Sequence, residues 1–294
     1  MELTTQTIDI ATGDDFPVSA DLYLPSGGNP EGIVLLCHGF KGFRRWGFLP
    51  YLATRLRDAG LAALSLDMSH NGTLPETSDA ADTPYVRPDL FRRNTLSREN
   101  TDLRHAIRFV TDGGLSQQLG GPVLIGVFGH SRGSVAATLN AIDQPEVTAL
   151  ATWSAIDDPD SYTRKQKEKW RKKSVLEFVE AGGVSLGLGI EYLDDLEENH
   201  EAYLLSERVK DLKTPHLIAH GQADIVTGVE HAIRLHASER HLKHRELLVL
   251  QTGHTFGIPY PAPVPLSEPG TALKRASDET VAWFVRFLQG GVSQ

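Results

Sequence analysis

An alternation of short, almost wholly apolar runs with segments of helical periodicity restricts this 294-residue chain more than any other feature. Residues 33–38 read IVLLCH, and residues 46–59 then place Phe48, Leu49, Leu52, Ala53 and Leu56 at helical spacing before Gly60. An apolar run with no polar alternation suits a strand covered on both faces, as in a parallel sheet. Glycine is a common stop for a helix. The unit repeats. LAALSLD (61–67), PVLIGVFG (122–129) and VTALATW (147–153) read as further strands, with helices predicted from SRENTDLRHAIRFVTDGG, where Ser97 is the expected N-cap, and from VAATLNAI. HLIAHG (216–221), ELLVLQ (246–251) and a helix over 273–288 close the series. At the start, two β-rich runs flank Gly13-Asp14-Asp15, a turn signal that predicts a hairpin. Strand–helix–strand repetition implies parallel strands with helices on both faces, a doubly wound α/β core.

One stretch breaks the rhythm. Residues 154–209 are charged and helix-prone, which predicts a helical cap inserted into a core made of 1–153 and 210–294. About thirty polar residues after the strand at 61–67 form a long connection of the kind that often carries function.

Composition narrows the partners. With 40% hydrophobic and 23% charged residues the chain can build a large single core. Its formal charge of −9 argues against nucleic acid, because neutralising a phosphate backbone needs clustered Lys and Arg. The opening MELTTQTIDI has neither the basic start nor the apolar run of a secretory signal, and no stretch is long enough to predict a membrane span. Cys37 is the single cysteine, so no intrachain disulfide can form and a reducing compartment fits. A cytoplasmic protein is expected, with a small molecule as its partner and a homodimer as an open possibility.

The chemistry is concentrated in GVFGHSRGSVAA (126–137). Ser131 sits between Gly129 and Gly133, directly after one predicted strand and directly before a predicted helix, which is the setting of a nucleophile elbow. A serine on so sharp a turn occupies strained backbone, and side chains at the two glycines would collide with neighbouring strand and helix. A serine hydroxyl needs a base to take its proton. His254, in QTGHTFGIP, falls between the last strand and the last helix, whereas His231, His236, His241 and His244 lie in or beside a predicted surface helix. Asp224, in GQADIV, follows a strand's end and can orient that imidazole; its bland reading is a plain helix cap, a role Thr227 or Gly228 could fill instead, and Asp211 and Asp157 are weaker rivals for the orienting role. An oxyanion needs N–H donors, expected from Arg132 after the nucleophile and from Phe40 in the loop HGFKGFRRWG.

His38 (HGF), Gly129–Gly133 (GHSRG), His220–Asp224 (HGQAD) and Gly253–Phe256 (GHTF) together resemble the serine α/β-hydrolase superfamily, and within it the dienelactone-hydrolase-like and serine-aminopeptidase-like esterases, over nearly the whole chain. The resemblance implies an eight-stranded sheet with an antiparallel second strand, a lid after the sixth strand, and no cofactor. It assigns Ser131 as nucleophile, His254 as base, Asp224 as orienting acid, and Phe40 and Arg132 as oxyanion donors. Dienelactone hydrolases proper carry cysteine at the elbow, so Ser131 favours ordinary ester chemistry.

The expected substrate-binding residues are His38, Gly39, Trp46, His70 and Trp170, with Tyr192 also on the cap's inner face; His70 can instead hold its loop by hydrogen bonds. Lys41, Arg44 and Arg45 read as a solvated loop cluster, Cys37 as core, and no His/Cys/Asp cluster has metal-ligand spacing. The leading function is a carboxylesterase for small to medium acyl esters. Peptide, amide or lactone cleavage and a non-catalytic ligand receptor are the alternatives.

Overall fold

Ile33, Leu35 and Cys37 join one apolar cluster while Val34 and Leu36 join another, so successive side chains of one run leave the backbone in opposite directions into two separate cores. In the computed structural model, which describes residues 5–13, 15–27, 29–73, 87–179, 185–259 and 269–289, that run lies in the middle of an eight-stranded sheet. Asp14 of the expected hairpin turn and much of the long connection after residue 67 lie outside the described residues.

The first elements are β1 (Thr5–Ile10), β2 (Val18–Tyr23), β3 (Gly32–Cys37), α1 (Leu49–Asp58), β4 (Ala62–Asp67), α2 (Pro88–Arg92), α3 (Leu96–Thr111), α4 (Ser116–Leu119), β5 (Leu124–His130), α5 (Gly133–Asp143) and β6 (Val147–Trp153). Then come α6 (Arg164–Lys173), β7 (Val175–Val179), β8 (Ser185–Gly189), α7 (Ile190–Glu198), α8 (His200–Tyr203) and α9 (Leu205–Arg208). Last are β9 (His216–Gly221), α10 (Val229–Ser238), β10 (Arg245–Leu250) and α11 (Thr271–Leu288).

The sheet order is β1-β2-β4-β3-β5-β6-β9-β10. β2 runs antiparallel to β1 and β4, and the other pairings are parallel. Apolar residues of α1 and α11 cover one face, and those of α3, α5 and α10 the other. All the loops that follow the parallel strands therefore open on one rim, where ligand sites of open α/β sheets lie.

Two expectations change. Thr95, extended at φ −140° and ψ 164°, caps α3 by accepting from the Arg98 amide; Ser97 lies inside the first turn and bonds Asp195 and the Tyr203 hydroxyl instead. The inserted segment is not wholly helical, because β7 and β8 pair as an antiparallel hairpin within it. Nor is it a separate body. Trp170, Leu186, Leu188, Tyr192, Leu193 and Leu196 belong to the same apolar cluster as β3 and α3. A Cβ on Gly189 would meet the Arg92 carbonyl at 2.7 Å, so the hairpin's end lies directly on α2.

The loop after β3 is anchored by charge. Arg44, expected in solvent, is fully buried. Its Nε lies 3.0 Å from Asp21 of β2, its guanidinium pairs with Asp67 at the end of β4, and its amide donates to Asp67 at 2.6 Å. Arg45 adds a second contact to Asp21 at 2.5 Å. Burial works to raise the Asp21 pKa, but the Arg45 and Arg44 guanidinium groups lower it on balance. Removing Arg44 takes the guanidinium from buried Asp67 and leaves Asp21 with Arg45 alone. Arg44→Met is expected to lower stability by about 3–5 kcal/mol, read as a fall in the urea midpoint with an unchanged slope.

Candidate active site

Ser131 stands at the turn between β5 and α5 with φ +52°, a left-handed conformation that a serine adopts only when its surroundings hold it there. Its amide donates to the Trp153 carbonyl at 2.9 Å and its carbonyl accepts from the Ser134 amide at 2.8 Å. A Cβ on Gly129 would lie 2.5 Å from the Gly133 carbonyl, and one on Gly133 would lie 2.3 Å from the His38 carbonyl. Both contacts involve backbone that cannot step aside. The glycines let β5, α5 and the loop after β3 converge on one point.

Three loops bring a hydrogen-bonded chain together. The Ser131 hydroxyl donates to Nε2 of His254 at 3.0 Å, and Nδ1 of His254 donates to Oδ2 of Asp224 at 2.8 Å. The other oxygen of Asp224 accepts from the amides of Val226 and Thr227 at 2.9 and 3.0 Å. The Thr227 hydroxyl donates to Oδ2 at 3.0 Å, and Nε2 of His220 lies 3.3 Å from it. Burial tends to raise the Asp224 pKa, but hydrogen bonds from His220, His254 and the Thr227 amide hold it far below the usual carboxylate range. Asp224 is thus fixed as an acceptor. The cap of α10 is Gly228, so Asp224 is not a plain helix cap. Asp157, the weaker rival, is paired with His231 and Arg234 elsewhere.

His254 opens on a cavity of about 450 Å³ lined by Gly39, Phe40, Lys41, Gly42, Trp46, His130, Ser131, Val226, His254 and Thr255. Backbone strain gathers around it: of the five described non-glycine residues with positive φ, Lys41, Ser131 and Phe256 lie in the loops that line it, and Ser154, after β6, donates its hydroxyl to the His254 carbonyl. Of the expected donors, Arg132 follows Ser131 in the chain and Phe40 lines the same cavity from the loop after β3; among the described residues neither amide donates to another backbone group. Gly39 approaches closest, since a Cβ there would lie 3.0 Å from Cβ of Ser131.

The five expected substrate contacts divide. Gly39 and Trp46 line the cavity. His38 does not: buried, it donates from Nδ1 to the Gly39 carbonyl at 2.8 Å and accepts at Nε2 from the Met68 amide at 3.2 Å, tying the loops after β3 and β4 together. Burial lowers its pKa, which keeps it neutral in that role. His70 is buried too, bonded to the Ser69 hydroxyl at 2.8 Å and set edge-on to Phe16, so it holds its loop. Trp170 donates to the Leu188 carbonyl at 3.0 Å and stacks on Tyr192 inside the inserted segment, away from the cavity wall. Its apolar surface is spent on packing the hairpin against α7.

Sequence reasoning passed over His130, although it lies inside the GHSRG motif. Its Nε2 donates to the His254 carbonyl at 3.1 Å, a carbonyl that the Ser154 hydroxyl also reaches at 2.9 Å, and its ring stacks on Trp46. Val226 and Thr255 were also missed, and only their places beside Asp224 and His254 could have indicated them. Among the described residues no group of three or more His, Cys, Asp or Glu side chains could hold a metal ion, and no helix is long and apolar enough to cross a membrane.

No family model matches this chain, and no curated protein matches it in sequence. Solved structures do. A dienelactone hydrolase from Anabaena variabilis superposes with a TM-score of 0.60 at 20% identity, covering 97% of this chain and 98% of that one. The esterase domain of a Rhodothermus marinus protein gives 0.60 at 23% identity over 98% and 99%, and Est1E from Butyrivibrio proteoclasticus gives 0.62 at 16% over 96% and 99%. The chain has the α/β-hydrolase fold, in the arrangement seen in dienelactone hydrolase and these esterases.

Two outcomes follow from this packing. Burial and the nearby His254 push the His130 pKa down to about 3, so the folded state stays neutral where the unfolded chain takes up a proton. The stability this confers is complete above the ordinary histidine pKa of about 6.5 and is lost at up to about 1.4 kcal/mol per pH unit as pH falls toward the folded value. His130→Gln should flatten the acid limb of a stability-versus-pH curve by that slope. Trp170→Ala should cost about 3–5 kcal/mol in chemical denaturation, the loss expected of a buried core tryptophan.

Proposed function

We propose that the protein is a serine hydrolase, a carboxylesterase that cleaves small to medium acyl esters through an acyl-enzyme intermediate. The observation that carries the reading is the chain Ser131–His254–Asp224, with successive distances of 3.0 and 2.8 Å, at the wall of a cavity. Ser131 Oγ attacks the ester carbonyl as Nε2 of His254 takes its proton. The ionised Asp224 keeps Nδ1 of His254 protonated, leaves Nε2 free to accept, and stabilises the imidazolium that forms. The amides of Phe40 and Arg132 receive the oxyanion, aided by the N-terminus of α5 behind Ser131. The imidazolium returns the proton to the departing alkoxide. Water, deprotonated by His254, then attacks the acyl carbonyl, and the imidazolium returns that proton to Ser131 Oγ as the acyl–oxygen bond breaks and the acid leaves.

A cavity of about 450 Å³ lies in the ordinary range for small-molecule sites, and Phe40, Trp46 and Val226 give it apolar walls suited to an acyl chain. The fold-level likeness to a dienelactone hydrolase and to esterases agrees with this choice of reaction.

A panel of p-nitrophenyl esters of increasing acyl length tests the reading. Wild-type protein should turn over the shorter members, and Ser131→Ala and His254→Ala should each lose several orders of magnitude in kcat while melting normally. Asp224→Asn should lose about 10⁴-fold, because the amide permits the wrong imidazole tautomer. Ester turnover that survives Ser131→Ala would place the chemistry elsewhere.

A further inference from the structure

An arginine just after a nucleophile on a turn is expected to reach for water, yet the Arg132 side chain is only 7% exposed. Its guanidinium pairs with Glu99 in the first turn of α3, and Asn94 donates to the same carboxylate oxygen at 2.8 Å. Burial works against the Arg132 charge, but the Glu99 carboxylate raises its pKa on balance, so the cation is fixed. A buried ion pair of this kind is a poor device for stability, since apolar residues of similar volume often do as well or better. What the cation touches is more informative. Its Cζ lies over two rings, 4.6 Å from the Phe40 centroid and 5.3 Å from that of Tyr192 in α7. Phe40 is held in turn by Phe91 at 5.5 Å and by Phe178 of β7 at 5.0 Å.

We propose that the Arg132 guanidinium is a positioning residue that holds the two oxyanion amides in register, with Tyr192 of the inserted segment closing the clamp. This rests on the esterase reading above. The two donors belong to loops that follow different strands, β3 and β5, and no described hydrogen bond joins Phe40 to Arg132. The planar cation spans that gap, because one donor is its own N–H and the other belongs to the residue whose ring it faces. Glu99 sets the guanidinium's position from α3. The inserted segment thereby acts on the reaction by fixing the oxyanion site, while its Trp170 lies off the cavity wall.

The test compares wild type, Glu99→Gln/Arg132→Met and Arg132→Lys on p-nitrophenyl esters. Removing both charges together avoids stranding either one. The double variant should melt near wild type and keep its KM, with kcat about 10²-fold lower, the size of effect that a misplaced catalytic group produces. A boronic acid that mimics the tetrahedral intermediate should bind more weakly by the same factor. Arg132→Lys, which keeps the charge toward Glu99 without the planar stack, should fall between, and it carries the test alone where the double variant does not fold. A kcat equal to wild type in a folded variant overturns the proposal and leaves the esterase reading standing. A raised KM at unchanged kcat also overturns it, since the guanidinium would then be binding substrate directly. Absence of ester turnover in the wild type overturns both.

Discussion

At Gly133 the first turn of α5 comes so close to the end of β3 that an added Cβ would meet the carbonyls of both Cys37 and His38. The rest of the site depends on this contact. It brings the turn carrying Ser131 against the loop carrying Phe40, and the positive φ at Ser131 follows from fitting strand, turn and helix into that space. A larger residue would separate the two loops, and with them Phe40 from the Ser131 hydroxyl and the Arg132 amide.

Around that contact the protein buries charge in compensated sets. Arg44 lies among Asp21 and Asp67, Arg132 against Glu99, and Asp224 among His254, His220 and the amides of its own loop. Each set fastens a loop of the site to another element. Arg44 fastens the loop after β3 to β2 and β4; Asp224 fastens the loop after β9 to the one after β10. Ion pairs in a dry interior are directional and intolerant of displacement, so they fix loops that have little apolar surface of their own. The neutral histidines complement them. His38 and His130 are both held uncharged by burial; His38 bridges the loops after β3 and β4 through its two ring nitrogens, and His130 reaches the His254 carbonyl through Nε2.

The inserted segment has a different place from the one its sequence suggested. Its charged helix α6 hides a hairpin, because residues 175–178 are short, mixed in polarity and follow a strongly helical run. Its apolar residues were read as cavity wall, but they complete the core above α3. The segment meets residues of the site through Phe178, which packs on Phe40, and through Tyr192, whose neighbour Arg132 is far away in the chain.

The sequence by itself determined the sheet, the order of its strands' βα units and the residues of the hydrogen-bonded chain. Unbroken apolar runs and helices of period 3.6 are local properties, and a serine between glycines at a strand-to-helix turn is legible because the turn's sterics demand those residues. Asp224 and His254 were legible because each follows a strand, and parallel strands deliver their following loops to one rim. Which buried polar groups touch was decided only by tertiary structure. Nothing local to His38, His70 or Trp170 separates a cavity wall from a scaffold, and nothing near Arg44 or Arg132 announces an acidic partner. Those partners, Asp21, Asp67 and Glu99, come from other elements, and a contact between elements exists only once the chain has packed.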